Sequence, residues 1–399
     1  MRTYNFEKVR EDSYNELEKM KKEMKYINKL NFKIEKEQIY TIETQNKDYS
    51  DLYNIYDEEK LYNLRIHKKS IGKFSSKERN EKKLKNLRVL YCEFEECRFE
   101  NIEFISCIFI GNVFFKCDFE NVIFKDCKFY NEKDDINIFK DECKFRDVRF
   151  TNSNIEKTKF ESMSLKNVYI KESNLNGSIF NKCIMKEVII CDSDLSSIKI
   201  LRPKHLDISF EDYYLSKFDE HTFIDKVDLK KKDKNEYIDI CKVYKDISTK
   251  FEANRLSNIG GEYYYIAKLI EKNGLKGIAK LKSMIYWALC GYGERPTYAL
   301  ITSLEIVLVF AILYMITGLN IGGELVNYKS ALRGNVDVAS INKDFINSLY
   351  FSIVTFTTVG YGDITPVGFF STLLSAIEML LGVTMVGIWT ATLSRKITK

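Results

Sequence analysis

The chain has 399 residues, with 62 Lys or Arg against 57 Asp or Glu, so its formal net charge is only +5. This length predicts two or three domains, and so small a charge argues against nucleic acid as a partner. The sequence shows no nucleophile with a base, no metal-ligand spacing and no phosphate-binding loop, which argues against an enzyme and against a bound cofactor.

Residues 1–86 are rich in charge and are expected to be helical in part. The clearest helical pattern covers Tyr14–Met20. The first eight residues lack the apolar core of a cleaved signal peptide, so we expect none. The sequence of this segment indicates no role for it.

Residues 87–202 carry apolar side chains at every fifth position, a period that neither a helix nor a flat strand has. These positions are Phe94, Phe99, Phe104, Phe109, Phe114, Phe119, Phe124 and Phe129, then Phe145, Phe150, Ile155, Phe160, Leu165, Ile170, Leu175, Phe180, Met185, Ile190, Leu195 and Ile200. A second, usually smaller set precedes each by two residues: Cys92, Cys97, Ile102, Cys107, Asn112, Cys117, Val122 and Cys127, then Cys143, Val148, Ser153 and Thr158. Repetition at a fixed period indicates a solenoid, in which each unit buries its apolar face against the next.

This pattern closely resembles the pentapeptide-repeat family, which implies a right-handed quadrilateral β-helix with about twenty residues per coil. At the usual strand spacing such a rod would be about 25 Å long. The spacing slips by one residue between Phe129 and Phe145, so we expect 131–135 to form a loop. Either this loop binds a partner or it is an inert insertion.

The resemblance also places Cys97 one coil below Cys117, and Cys107 one coil below Cys127. Stacked sulfurs suggest a metal site, but buried free cysteine also serves as a small apolar residue, and we favour that interpretation. All ten cysteines lie in segments assigned to the cytosol or the inner membrane face, where thiols stay reduced.

Residues 203–295 are predicted to be a helical linker. Glu236–Arg255 and Gly261–Lys272 form an α-hairpin broken at 258–261, and Tyr263, Tyr264 and Tyr265 are expected to pack it. From Leu275 to Leu289 apolar residues recur at helical spacing beside a row of lysines. That pattern suits a helix lying on an anionic inner leaflet, with Trp287 in the interface. An ordinary helix packed on the hairpin is the alternative.

Residues 296–399 contain two apolar stretches, Thr297–Leu319 and Phe369–Leu393, each long enough to span a bilayer. Between them Phe345–Phe356 is free of charge but too short to span, which predicts a re-entrant helix. Residues 357–363 follow it. We interpret them as an ion-binding loop, because a ring of backbone carbonyls can replace the hydration shell of K⁺. Carbonyls face one axis only if the backbone alternates in handedness, and glycine makes positive φ cheap.

The stretch 297–395 resembles the two-helix potassium channel family, the pore module of bacterial potassium channels. The resemblance implies an all-α two-helix transmembrane pore built by four chains, with K⁺ as the permeant ion. It assigns ion binding to Thr358, Val359, Gly360, Tyr361 and Gly362, filter support to Thr357 and Asp363, and a gating hinge to Gly382 with Gly387. The pore helix departs from the family in carrying Tyr350 and Phe351 where several relatives have tryptophan, and it offers no carboxylate to Asp363.

Basic residues flank both predicted spans, which places both termini in the cytoplasm of a multi-pass plasma-membrane protein. No arginine-rich helix that could sense voltage is present. Glu305 and Glu378 fall inside apolar surroundings. Each is either a functional carboxylate or a buried, hydrogen-bonded or snorkelling group. Heavy use of Lys, Asn and Ile is compatible with a bacterial source.

These features predict a cytosolic β-helix, an α-helical linker and a two-helix pore domain. The interpretation we favour is a homotetrameric potassium channel in the lipid bilayer, regulated through the repeat domain by a stimulus or cytosolic partner that the sequence leaves open. The alternative is a membrane-anchored scaffold whose β-helix binds a protein.

Overall fold

The computed structural model describes residues 4–19, 57–71, 82–130, 135–229, 233–328 and 338–398. They fall into two compact units, Met1–Gly274 and Leu275–Lys399. The first is a parallel β-solenoid with three helices, and the second is helical apart from one small sheet.

Short parallel strands, stacked about twenty residues apart in sequence, build the solenoid. They are β1 Lys60–Tyr62, β2 Arg65–His67, β3 Ser70–Ile71, β4 Lys82–Lys85, β5 Arg88–Leu90, β6 Glu93–Glu95, β7 Arg98–Ile105, β8 Ile108–Ile110, β9 Val113–Phe115, β10 Asp118–Lys125, β11 Ile138–Lys140, β12 Lys144–Thr151, β13 Lys159–Glu161, β14 Ser164–Lys171, β15 Ile179–Asn181, β16 Ile184–Cys191, β17 Lys199–Leu201, β18 His205–Phe210 and β19 Phe223–Ile224. One eight-stranded sheet runs β18-β16-β14-β12-β10-β7-β3 with β4 also on β7, and another runs β19-β17-β15-β13-β11-β9-β6-β2. The predicted β-helix is thereby confirmed.

The corners of the solenoid recur every fifth residue as single positions with positive φ. A series of them comprises Asn101, Ser106, Gly111, Lys116 and Asn121. Most are not glycine, although the left-handed region is costly for other residues and least so for Asn and Asp. Asparagines at successive corners are tied together, since Asn121 Nδ2 donates to Asn101 Oδ1 at 2.8 Å.

The inward residues stack directly above one another. Phe99 and Phe119 lie with ring centroids 4.4 Å apart and planes 1° from parallel, and Phe94 and Phe114 are 4.9 Å apart at 7°. Aromatic pairs of this kind contribute about 0.5–1.5 kcal/mol beyond their burial. The period-five series is therefore the core of the rod.

The smaller inward set supplies hydrogen bonds as well as volume. The thiols of Cys97, Cys107 and Cys117 each donate to a carbonyl oxygen of the preceding coil at 3.3 Å. All ten cysteines of the chain are free and buried. Within the described residues no group of three His, Cys, Asp or Glu side chains could hold a metal ion.

The irregularity between Phe129 and Phe145 has two separate origins. Phe139 pairs with Phe114 in a register offset by 25 residues, so five extra residues precede it; 131–134 of the predicted loop lie outside the described residues. Phe145 pairs with Phe119 at an offset of 26. The additional residue lies at the next corner, where Asp141 and Glu142 both have positive φ. The one-residue slip thus follows the predicted loop instead of lying in it.

The ladders extend beyond 87–202 at both ends, from β1 to β19. Leu61 and Ile66 occupy inward positions five residues apart, but charged neighbours obscure their pattern in the sequence. The sheet that runs from β19 to β2 stacks eight strands in a single row. At about 4.8 Å per step the rod is about 34 Å long, which exceeds the predicted length.

Helices cover the last coil. They are α1 (residues 6–19), α2 Lys234–Ala253 and α3 Ser257–Gly274. The buried Tyr263 hydroxyl accepts from the Ile224 amide at 2.8 Å and lies 3.1 Å from the Ile224 carbonyl, and the Tyr244 hydroxyl donates to the Asp225 carbonyl at 2.6 Å. The last coil of a solenoid exposes unpaired backbone groups, and such an open edge is prone to unwanted pairing. The hairpin of α2 and α3 covers this edge. It turns at 254–256, so the predicted break at 258–261 is wrong, because those residues lie inside α3.

The N-terminal helix, to which the sequence assigned no role, packs on the same end. Arg10 forms an ion pair with the buried Asp225 at 3.1 Å, and the Tyr14 hydroxyl also donates to that carboxylate. Glu7 pairs with Lys226 at 2.7 Å. Residues more than two hundred positions apart in the chain therefore close one core.

The second unit contains α4 Gly277–Cys290, a 3₁₀ turn at Gly291–Gly293, α5 Pro296–Thr317, α6 Val338–Phe356 and α7 Gly368–Thr398. Its sheet has the antiparallel order β21-β20-β22, with β20 Leu319–Ile321, β21 Glu324–Val326 and β22 Ile364–Pro366. The α5 and α7 helices are long and apolar enough to cross a membrane.

Replacing Phe119 by Asp should unfold the coils around β10, because a carboxylate would enter a dry core. Truncating a buried Phe alone costs about 3–5 kcal/mol, and an unpaired buried charge adds several more. Alkylation of Cys117 and Cys143 in the full-length protein measures the effect. Lys125→Asp, on the exposed side of the same strand, should leave both thiols protected. Equal labelling of the two variants would contradict the core assignment.

Burial raises the pKa of the Cys92 thiol to about 11. A thiol whose pKa rises on folding stabilises the fold below its ordinary pKa, near 9, and loses that contribution as the pH rises through 11. We therefore expect the difference in unfolding free energy between wild type and Cys92→Ala to shrink from pH 9 to pH 11. Urea unfolding followed by circular dichroism measures it, and a constant difference would refute this thiol contribution.

Candidate functional site

The pore-helix segment of the second unit ends directly at the loop 357–363. α6 begins at Val338, seven residues before the predicted start, because the prediction rested on the charge-free stretch and 338–344 contains charge. Its last turn continues into the loop, since the amides of Thr357 and Thr358 bond to the carbonyls of Ile353 and Thr355 at 2.9 and 3.0 Å. The partial negative charge of a helix C-terminus favours a cation here.

The loop backbone alternates in handedness. φ is positive at Thr358 (59°), Gly360 (60°) and Gly362 (81°), while Val359 and Tyr361 between them are not in the left-handed region. Glycine makes this conformation cheap at two of the three positions. That Thr358 would share this conformation could not be predicted from the sequence, because threonine is disfavoured there.

The carbonyls of this loop lack partners within the part of the chain that the structure describes. There, no hydrogen bond ends on the carbonyl oxygens of 358–361. Val359 and Tyr361, which alternate with the positive-φ positions, are 53% and 71% exposed in one chain.

The outer end of the loop is held by β22, which begins at Ile364. This strand pairs with β20, placing Ile364 opposite Ile321 and Thr365 opposite Asn320. The side chain of Tyr350 on α6 lies near the Asp363 carboxylate.

A buried carboxyl lies behind the loop. Glu378 on α7 is fully buried; its Oε2 accepts from the Tyr314 hydroxyl of α5 at 2.7 Å, and its Oε1 contacts the Ser352 hydroxyl of α6. Glu305, by contrast, is exposed on α5. The two acidic residues, which looked equivalent in the sequence, therefore have different environments.

The two glycines of α7 also differ. A Cβ built on Gly382 would lie 1.8 Å from the carbonyl oxygen of Phe356, whereas nothing lies within 4 Å of one built on Gly387. α7 runs as one helix through both positions. The hinge stays a prediction, and the structure gives Gly382 a packing role that sequence reasoning missed.

The C-terminal end of α7 is joined to the segment just before α5. Arg395 near the end of α7 pairs with the buried Glu294 at 3.0 Å, next to the turn between α4 and α5. Ile278, Leu281 and Ile285 of α4 are exposed, as expected of a helix that lies on lipid.

Comparison with known proteins separates the two regions. Residues 306–399 match the family model described as an ion channel, and residues 97–180 match the one described as a pentapeptide repeat region. No curated protein matches the chain.

Solved structures resemble parts of the chain. A trypsin-treated QnrB1, a plasmid-mediated fluoroquinolone resistance protein, is 18% identical over 35% of this chain and 73% of its own, with a TM-score of 0.23. A pentapeptide repeat protein from the cyanobacterium Cyanothece 51142 is 11% identical over 42% and 90%, with a TM-score of 0.15. HetL from Nostoc sp. strain PCC 7120, a pentapeptide repeat protein involved in heterocyst differentiation regulation, is 8% identical over 37% and 69%, with a TM-score of 0.13.

Two apolar helices flank a third helix, α6, and a loop of alternating handedness, and the ion-channel match covers all but the start of that arrangement. The repeat match falls within the ladders of the solenoid. The chain therefore joins a pentapeptide-repeat region to a C-terminal ion-channel domain.

Proposed function

We propose that the protein is a potassium-selective channel in which four chains surround one pore. The observation that carries the proposal is the loop 358–362, whose backbone alternates in handedness and whose carbonyls accept no hydrogen bond within the described chain. Carbonyl dipoles in such a row can replace the hydration shell of K⁺.

The need for further copies follows from the loop itself. One chain supplies one strand of carbonyls, and an ion must be surrounded. The exposed Val359 and Tyr361 offer apolar surface on either side of that strand, which other copies would cover. Four copies are the number that the potassium channel family implies.

The bilayer is the solvent of this domain. α5 and α7 span it, and α4 lies along its inner surface with exposed Ile278 and Leu281 towards the lipid and Lys276 and Lys280 towards anionic headgroups. The basic flanks of the spans favour a cytoplasmic location for both termini.

The solenoid regulates the pore or holds a partner of it. Its stacked core makes it rigid, and α1 closes the core from the opposite end of the sequence. A domain biases a gate only if it has different free energies in the open and closed states. We propose regulation, and the deletion test below can instead return a scaffold role.

Purified protein in liposomes should pass K⁺ and Rb⁺ far better than Na⁺, because the loop presents carbonyls in place of a ring of carboxylates. Reversal potentials under opposed K⁺ and Na⁺ gradients measure this. A reversal potential near zero in an active preparation would refute potassium selectivity.

The matched variants are Gly360→Ala and Gly322→Ala. Both glycines have φ near +60° and nothing within 4 Å of an added Cβ, so both substitutions carry the same backbone strain, about 1–2 kcal/mol. Only Gly360 lies in the carbonyl row. Selectivity should disappear in the first variant and persist in the second, which alters the turn between β20 and β21.

Deleting Met1–Gly274, the whole first unit, should leave an assembly that still selects K⁺ but has a changed open probability. Single-channel recording across pH, salt and membrane tension measures it. Identical gating of the truncated and intact channels would favour the scaffold, for which crosslinking in cells would then identify a bound protein.

A further inference from the structure

We propose that Glu378 and Gly382 are positioning residues of the filter, and that Glu378 acts as a neutral carboxyl. Together they fasten the end of α6 to α7 and α5. This inference rests on the proposed role of residues 357–363 as a potassium filter, and one of its measurements below is independent of that role.

The hydrogen bonds of Glu378 reach two other helices. Its Oε2 accepts from the Tyr314 hydroxyl of α5 at 2.7 Å, and its Oε1 contacts the hydroxyl of Ser352 on α6. The Ser352 oxygen also lies 2.9 Å from the carbonyl oxygen of Val307, again on α5. The side chains of Tyr314, Ser352 and Glu378 are each fully buried.

Counting protons determines the charge of this group. Ser352 has one hydroxyl proton but two oxygen neighbours, Val307 and Glu378. If Glu378 is ionised, one of these two close oxygen contacts has no proton between its atoms. If Glu378 is neutral, every contact has one: Tyr314 donates to Oε2, Oε1 donates to Ser352, and Ser352 donates to Val307.

The surroundings agree with a neutral carboxyl. Among the residues that the structure describes, Glu378 has no cationic partner. A buried charge without a partner is far more costly than a buried neutral acid with its hydrogen bonds satisfied. The same three-helix contact would therefore be weakened by ionisation.

Gly382 extends the contact by one helical turn. Glu378 and Gly382 are four residues apart and lie on one face of α7, opposite Ser352 and Phe356, which are four apart on α6. An added Cβ on Gly382 would come within 1.8 Å of the Phe356 oxygen and 2.8 Å of its carbonyl carbon. Because backbone cannot move aside cheaply, the absence of a side chain at Gly382 sets the distance between the helices.

This contact lies at the point where the filter starts. Phe356 is the last residue of α6, and Thr357 and Thr358 follow it. The carbonyls of 358–361 have no bonds of their own within the described chain, so their positions depend on what holds each end of the loop. The Glu378–Gly382 face holds the inner end.

The first test compares K⁺ over Na⁺ selectivity of the full-length protein in liposomes. Glu378→Gln should retain at least half of the wild-type permeability ratio, since its amide can donate to Ser352 and accept from Tyr314. Glu378→Ala and Gly382→Ala should lose the ratio at least tenfold. Leu380→Ala, on the same helix but exposed and outside the proposed contact, should match wild type.

Each result of this comparison bears on one part of the proposal. If Gln behaves like Ala at position 378, the neutral carboxyl is wrong. If Glu378→Ala and Gly382→Ala both match wild type, the positioning role is wrong. Should either variant fail to assemble, Ser352→Ala and Tyr314→Phe remove one hydrogen bond each, and retained wild-type selectivity in both would likewise overturn the proposal.

The second measurement does not require conduction. Infrared spectroscopy at neutral pH should show the carbonyl stretching band of a protonated, buried carboxylic acid, and Glu378→Gln should remove it. A wild-type spectrum without that band overturns the neutral carboxyl even in a selective channel. If the band is present but the protein does not select potassium, the neutral carboxyl is supported and the proposed function is refuted.

Discussion

In the filter that we propose, the carbonyl oxygens of residues 358–361 must stay free of hydrogen bonds and yet remain fixed in place, and the rest of the second unit is arranged around this constraint. Backbone without internal bonds is tolerated at membrane depth only where protein or a wet cavity surrounds it. Both ends of the loop are held by neighbouring elements of the chain. α6 continues into it at Thr357 and Thr358, and β22 pairs with β20 just after it.

The solenoid solves the opposite problem. Each coil there forms backbone hydrogen bonds with the coils on either side of it. The backbone groups that still need partners are those of the two end coils. The hydroxyls of Tyr244 and Tyr263 bond to the chain at 224–227, and α1 adds the Arg10–Asp225 pair. A helix from the start of the chain is thus part of the structure that ends the rod.

What could be predicted from the sequence depended on how locally each feature is encoded. The five-residue period is visible in any short stretch of the repeat, so Phe99 and Phe119 could be assigned to one core from the sequence alone. The loop glycines follow from backbone handedness in the same way. The role of α1 could not be predicted, because the partner of Arg10 lies 215 positions away. Nor could the difference between Glu305 and Glu378, since both interrupt apolar runs and only tertiary packing buries one of them.

Gly382 shows why a motif and a contact have to be considered together. A glycine in the middle of an inner helix indicates a hinge from sequence alone, whereas the structure places the Phe356 backbone where its side chain would be. The two roles are physically linked. If α7 bends at Gly382, the surface against which α6 ends changes shape, and α6 leads directly into the loop. Because packed helices shift between discrete arrangements instead of deforming smoothly, a bend of α7 at the proposed hinge would also change the geometry of the carbonyl row.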